Sequence, residues 1–317
     1  MKFQTPVTVK PTECPIDYNS HVLLLGSCFA VNIGDKFGFY KFRNLVNPFG
    51  ILFHPLAIDE VIHRCINNQQ YNASDVFLNN GRWHSFAAHS DLSHPDQQIM
   101  LQTLNERLVL LREALVTATH IVISYGTAWV YREKATKNIV ANCHKVPSTH
   151  FDKEILSTDT IEAAISNTIS LIESVNPMAQ IIFTISPVRH TKDGMVENQR
   201  SKANLIAALH DALEASEERK LAYFPAYEIL MDELRDYRYY ADDLIHPSKM
   251  AIEFIWQRFT ESYIQRSAIQ TMDEVGKVQK ALSHRPFDVD SASHQQFIES
   301  VKLQIAKLET AYPHMKF

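Results

Sequence analysis

A serine that ends an apolar run, and a histidine that follows an aspartate at short spacing, are the residues of this chain best suited to chemistry. The run is Val22-Leu-Leu-Leu-Gly-Ser-Cys-Phe-Ala30; the second stretch, near the other end of the 317 residues, is Tyr240-Ala-Asp-Asp-Leu-Ile-His-Pro-Ser248. An apolar strand that breaks at a glycine leaves the Ser27 hydroxyl at the strand's end. The Asp243-x-x-His246 spacing lets one loop present both side chains. A serine, a histidine and an aspartate that orients the histidine are the minimum apparatus of acyl transfer: nucleophile, general base and tautomer-fixing carboxylate. The alternative for Ser27 is an inert cap on the following helix. Because the two stretches are far apart in sequence, only a fold that brings the chain ends together makes the constellation work.

These residues carry a resemblance. Leu25-Gly-Ser-Cys-Phe-Ala30 resembles the signature of the GSCFA family, as do Asn47-Pro-Phe-Gly50, Tyr125-Gly-Thr-Ala-Trp129, Ala141-Asn-Cys-His-Lys145 and Ser186-Pro-Val-Arg-His190. The resemblance spans roughly residues 20–260, and the combination is far more specific than any one motif. The family is bacterial and similar to the SGNH (GDSL-like) serine hydrolases. That likeness implies a three-layer α/β/α sandwich with a central parallel sheet, SGNH/flavodoxin-like, and a nucleophile after the first strand. It also implies a C-terminal Asp-x-x-His pair, which selects Asp243 over Asp242; the latter then reads as a solvated loop carboxylate.

An acyl-transfer site needs hydrogen-bond donors where the carbonyl oxygen becomes negative. The Ser27 backbone N–H is the first candidate, and Gly50 offers a second through close backbone approach. In SGNH enzymes an asparagine of a Gly-x-Asn block completes this oxyanion hole. Here Gly126-Thr127-Ala128 places alanine at that position. Asn142 is the expected substitute, with the Thr127 hydroxyl and Asn47 as other possibilities; a turn-stabilising role for Asn142 weighs equally. Substrate-contacting candidates are Asn47, Gly126, Thr127, His144, Lys145 and Arg189. An arginine such as Arg189, with His190 beside it, is suited to a carboxylate or phosphate, although a loop arginine is usually just solvated. Cys28 is expected to point into the fold as a small buried hydrophobe. Tyr237, Tyr239 and Tyr240 suit either sugar stacking or packing.

The elements that must position these residues follow from periodicity. Apolar runs at Val22–Leu25, His120–Ser124 and Gln180–Ser186, with a shorter one at Leu221–Phe224, read as buried parallel strands. Helical stripes occupy Asn105–Thr117, Thr160–Val175, Ser201–Leu213 and Ser248–Ile264, and alternation of strand and helix predicts an open sheet covered on both faces. Ligands of such sheets bind outside the carboxyl ends of the strands. The domain so defined covers residues 1–265. Residues 266–317 read as a helical extension, Ile269–Leu282 and a second helix capped by Ser293, joined across Arg285-Pro286. A hairpin packed on the main domain is favoured there over a dimerisation arm, which leaves homo-oligomer formation through these helices open.

Composition narrows the function classes. A net charge of −5, with no basic cluster interleaved with aromatics, argues against nucleic acid as a partner. No apolar run reaches the roughly 20 residues of a membrane span. The N-terminal residues lack the apolar segment of a secretory signal, and the 4 cysteines form no C-x-x-C pair. A cytoplasmic protein is expected. His84, His89 and His94, with Asp91 and Asp96 between them, lack helical spacing and favour a polar insertion loop over a metal site; no metal and no cofactor are expected. The expected activity is that of an ester-bond hydrolase or acyltransferase acting on a small polar or sugar-like acylated substrate. The alternative is a metabolite-binding protein on the same scaffold.

Overall fold

The computed structural model describes residues 4–216, 220–284 and 292–317, with the side chains of 292 and 293 also outside that description. The elements, in chain order, begin with β1 (His21–Gly26), α1 (Cys28–Phe39), β2 (Arg43–Val46) and α2 (Pro55–Ile66). Then follow β3 (Phe77–Asn79), β4 (Arg82–His84), α3 (Gln97–Thr117), β5 (His120–Tyr125), β6 (Trp129–Glu133), β7 (Ile139–Val140) and β8 (Phe151–Ile155). The remainder is α4 (Thr158–Val175), β9 (Gln180–Ile185), α5 (Met195–Ala215), β10 (Leu221–Tyr223), the single turn α6 (Ala226–Glu228), α7 (Lys249–Tyr263), α8 (Arg266–Ser283) and α9 (Ala292–Ala311).

Five parallel strands form the central sheet in the order β10-β9-β5-β1-β2. Renumbered among themselves, these strands run 2-1-3-4-5 from one edge, the flavodoxin-like order with its switch point between β1 and β5. The register Leu23↔Ile121↔Ile181 aligns residues of one face. That face, with Leu25, Ile123 and Phe183, packs on α2, α3, α4 and α5. The alternate residues Val22, Leu24, Val122 and Ile182 point the other way, onto α1, α7, α8 and α9. This is the expected three-layer sandwich. The helices of the C-terminal segment share the core of the second face, through Met272, Val275, Val301 and Leu308. Ser293, the expected cap, falls within α9 as its second residue, its side chain outside the description; the joint at Arg285-Pro286 lies outside the described residues.

Two small antiparallel additions were not visible in the periodicity: the β3–β4 hairpin and a sheet of order β7-β6-β8. The first holds part of the histidine-rich stretch. His84 is buried, while His89 and His94 accept hydrogen bonds from the nearby N–H groups of Asp91 and Asp96. The second stands beside the carboxyl ends of the sheet strands. Among the described residues no helix is long and apolar enough to cross a membrane.

Candidate active site

Strand β1 delivers Ser27 to the switch point through a residue that only glycine can be. Gly26 has φ +124°, and a Cβ there would lie 2.1 Å from the Ser124 carbonyl oxygen. Gly26→Ala therefore combines strain with a backbone clash, and we expect it to cost more than about 2 kcal/mol of stability, read as a lowered urea-unfolding midpoint. The Gly26 N–H donates to Asn47 Oδ1 at 2.8 Å, and the Ser27 N–H to the Ser124 carbonyl at 3.0 Å. Ser27 Oγ caps α1, accepting from the Phe29 N–H at 3.2 Å, and shares a 2.9 Å hydrogen bond with Ser124 Oγ. The side chain is thus a cap and also stands at the positive end of a helix, where a developing negative charge is favoured. Ser27 is 1% exposed, and its hydroxyl is not hydrogen-bonded to His246 in this arrangement.

The aspartate and histidine do meet. Asp243 Oδ2 lies 2.7 Å from His246 Nδ1, while Oδ1 accepts the N–H groups of Ile245 (2.9 Å) and His246 (3.0 Å). Leu244, between them, takes a left-handed φ of +57°, which folds the turn tightly enough for one carboxylate to receive all three. The His246 N–H, then the imidazole, then the Ile245 N–H hold the Asp243 carboxyl down at about 2. An ionised carboxylate only accepts, so Nδ1 carries the ring proton of neutral His246 and Nε2 is left with a free lone pair. That is the tautomer a general base needs. Asp242 is exposed beside this turn.

His246 lines a cleft of about 650 Å³ at the carboxyl ends of the strands, together with Cys28, Phe53, Thr127, Trp129 and His190. Of the sequence candidates, Asn142, Lys145 and Arg189 also line it. Asn142 Oδ1 accepts the His144 N–H at 2.8 Å, so the turn-stabilising role is present at the cleft wall. The Arg189 guanidinium stacks 3.8 Å from the Tyr240 ring centroid, and its backbone N–H ties the β9 loop to the Asp243–His246 loop through the Ile245 carbonyl, 3.1 Å away. Thr127 Oγ1 pairs with Ser201 Oγ at 3.1 Å and accepts the Trp129 N–H at 3.0 Å. Cys28 departs from expectation: it is half-buried and lines the cleft, and burial pushes its thiol up, away from the reactive thiolate.

Ser27, Asp243 and Gly126 do not themselves line the cleft, and three further candidates are turned to other partners. Asn47 lies under the end of β1, and its Nδ2 is buried without a partner. The Gly50 N–H is spent on the Asn47 carbonyl at 2.7 Å, and the close approach at Gly50 is to His89, whose Cβ would lie 2.3 Å from an added Cβ. His144 is buried against the hairpin. It donates from Nε2 to the Ser85 carbonyl at 2.7 Å and accepts at Nδ1 from the Ser90 hydroxyl at 3.1 Å, while burial lowers it to about 4. Ala128 is fully buried, its N–H donating to Ser201 Oγ at 2.7 Å.

Two residues at the site carry more than their sequence position suggests. Lys202, on α5, is 1% exposed, and its ammonium donates to the carbonyls of Gly126 (2.6 Å) and Ser186 (2.7 Å), clamping the chain just beyond β5 and β9. Burial lowers it to about 7. His190 sits in front of that clamp. The Cβ that Gly126 lacks would lie 3.2 Å from His190 Nε2 and 3.3 Å from both Ser27 Cβ and the Phe53 carbonyl oxygen, so His190 and Ser27 border the same space over the glycine. Nε2 is buried with no hydrogen-bond partner. Burial first, then the charges of Lys202 and His246, push His190 down to about 3. The Ser186-Pro-Val-Arg-His190 motif signalled His190; nothing in the pattern of α5 marks Lys202, which reads as a solvated helical lysine.

Comparison with known proteins adds a family. The chain is similar to solved structures of a carbohydrate esterase family 3 protein from Talaromyces cellulolyticus (10% identity, 80% of this chain and 99% of that one, TM-score 0.32). It is also similar to an acetyl xylan esterase from the rumen bacterium Butyrivibrio proteoclasticus (9% identity, 79% and 64% covered, TM-score 0.39). A third is a mutant acetyl esterase with acetate ion (10% identity, 81% and 99% covered, TM-score 0.30). No curated protein matches. The GSCFA family model matches residues 21–259, and that of the GSCFA domain protein, C-terminal domain, matches residues 275–317. The chain belongs to the GSCFA family.

Proposed function

We propose that this protein is a serine esterase or acyltransferase that acts on a small, polar, acylated substrate. The observation that carries the proposal is the Asp243–His246 pair, whose histidine lines a cleft also lined by Cys28, the residue after Ser27. Ser27 first turns from Ser124 toward the cleft, a change of side-chain rotamer. Its hydroxyl proton passes to His246 Nε2 as Oγ bonds to the carbonyl carbon, giving a tetrahedral oxyanion. Collapse breaks the bond to the leaving alcohol, which takes the proton from His246 and leaves acyl-Ser27. Water, or a second alcohol, then repeats the steps in reverse. A polar substrate is supported by the lining: Asn142, Lys145 and Arg189, with Lys153 lying 5.3 Å from the ring centroids of both Trp129 and Tyr131. A panel of O-acetylated sugars and small acetyl esters tests the proposal; release of acetate by the wild type and none by Ser27→Ala is expected. Full turnover by Ser27→Ala contradicts it.

Arg189→Ala should raise KM about tenfold for an anionic ester while leaving kcat nearly unchanged, the pattern of an interaction that holds ground and transition states equally. An uncharged ester serves as control and should show little change.

The occupied Ser27 hydroxyl and the alanine at 128 favour a second reading, a metabolite-binding protein without turnover. It predicts calorimetric binding of an acylated sugar that His246→Ala leaves intact, with no ester hydrolysed.

A further inference from the structure

We infer that His190 stands in for the missing asparagine, its Nε2–H donating to the oxyanion formed when Ser27 attacks. The inference rests on the serine-hydrolase reading and adds a residue to it. The argument is one of elimination and placement. Ala128 has no donor on its side chain, and its N–H is held by Ser201. The N–H groups of Ser27 and Gly50 are spent on carbonyls, and those of Gly126 and Thr127 both go to the Phe53 carbonyl, at 2.7 and 3.1 Å. Asn142 accepts the His144 N–H through its oxygen, a bond that leaves its amide donors unengaged, but it stands at the cleft wall and no contact puts it beside Ser27. Two donors remain near Ser27: the Cys28 N–H at the start of α1, which would share the oxyanion, and a buried ring nitrogen, His190 Nε2, with nothing to bond.

Its position is held firmly. The His190 N–H donates to Asn198 Oδ1 at 2.8 Å, and Asn198 is itself 2% exposed. The ring meets Phe53 edge-on, with centroids 5.6 Å apart. Gly126 supplies the opening: any side chain there would fill the space between His190 Nε2 and Ser27. A buried donor left unpaired costs about 1–3 kcal/mol, and such a group in a native fold calls for an explanation. An oxyanion that exists only during the reaction supplies one, because the donor is then satisfied in the transition state and not in the ground state. Burial, then the charges of Lys202 and His246, disfavour a second proton on the ring, so His190 acts as a neutral donor and does not compete with His246 as a cation.

The test is steady-state hydrolysis of p-nitrophenyl acetate by wild type, Ser27→Ala, and His190 changed to Ala, Phe and Gln, with thermal unfolding recorded for each. His190→Ala should lower kcat about 10²–10³-fold with KM little changed. His190→Phe fills the space without a donor and should be as slow as His190→Ala. His190→Gln places an amide N–H near the same point and should recover at least about tenfold of the loss. Wild-type kcat in the folded Ala and Phe variants, with Ser27→Ala inactive, overturns the inference and leaves the serine reading standing. A folded His190→Gln as slow as His190→Phe also overturns it, because a glutamine donates but cannot serve as a base. A wild type that neither hydrolyses the ester nor takes a fluorophosphonate at Ser27 overturns both.

Discussion

His246→Ala is expected to lower kcat for acyl esters by about 10⁴-fold or more, with ground-state binding nearly unchanged. The magnitude follows from what the imidazole does in the proposed reaction. Without Nε2 the Ser27 hydroxyl has no acceptor for its proton, and the leaving alcohol has no donor. Asp243→Asn should cost less, about 10²–10³-fold. Both side chains are nearly half exposed, at 44% and 46%, so water is able to take over part of the carboxylate's role. The asparagine amide also presents a donor to Nδ1 if it flips, which favours the wrong tautomer. Because Asp243 is held at about 2, its charge is complete throughout the neutral range, and its neutralisation affects activity only in strong acid. Steady-state kinetics of the two variants against one acetyl ester check the order: His246→Ala slowest, Asp243→Asn intermediate.

Lys202→Met is expected to alter the dependence of stability on pH above neutrality. The sign follows from linkage. Burial lowers folded Lys202 to about 7, against an ordinary value of 10.5, so between these values the unfolded chain binds the extra proton and stability rises with pH. Below about 7 both states are protonated and the burial penalty is carried in full. Between about pH 7 and 9 the wild type should therefore gain about 2 kcal/mol relative to the variant. Tyrosines and cysteines raised by burial act in the opposite sense at higher pH, but they are common to both proteins and cancel in the difference. Removal of the clamp also leaves the carbonyls of Gly126 and Ser186 unpaired, at about 1–3 kcal/mol each. Urea unfolding of both proteins at about pH 7, 8 and 9 measures the difference, and parallel curves would contradict the placement of Lys202.

How much of this could be read from the sequence depended on burial. Strands β1, β5 and β9 are covered on both faces, so they read as unbroken apolar runs with nearly the observed bounds. Strand β2 is an edge strand of mostly half-buried residues, Arg43-Asn-Leu-Val46, and gave no pattern. Helix α1 carries two glycines and reads poorly as a helix. It forms because Ser27 caps it and because Gly34 admits Val46, whose Cγ2 would lie 2.4 Å from an added Cβ. Helix α3 begins at Gln97, earlier than the stripe starting near Asn105, because the Asp96 cap and not the apolar period sets its first turn.

The site was legible where chemistry depends on local spacing and illegible where it depends on contact. Asp243 and His246 share one turn, so their partnership could be written down from three residues of separation. His190 meets Ser27 only across Gly126, from the end of a different strand, and Lys202 reaches Gly126 and Ser186 from the middle of a helix. Conversely, Gly50 and His144 sit in the right motifs, yet the chain folds their polar groups onto Asn47, Ser85 and Ser90. Motif membership located the neighbourhood; tertiary packing decided which groups face the cleft.

The central claim is that Ser27 is a nucleophile and not only a cap, and covalent labelling tests it most directly. Wild type, Ser27→Ala and His246→Ala would each be treated with a fluorophosphonate and read by intact mass, with the adduct mapped by peptide analysis. One adduct on Ser27 of the wild type, none on Ser27→Ala and a strongly slowed one on His246→Ala is the predicted result. A wild type that stays unlabelled at Ser27, or a His246→Ala variant that labels as fast as wild type, would contradict it.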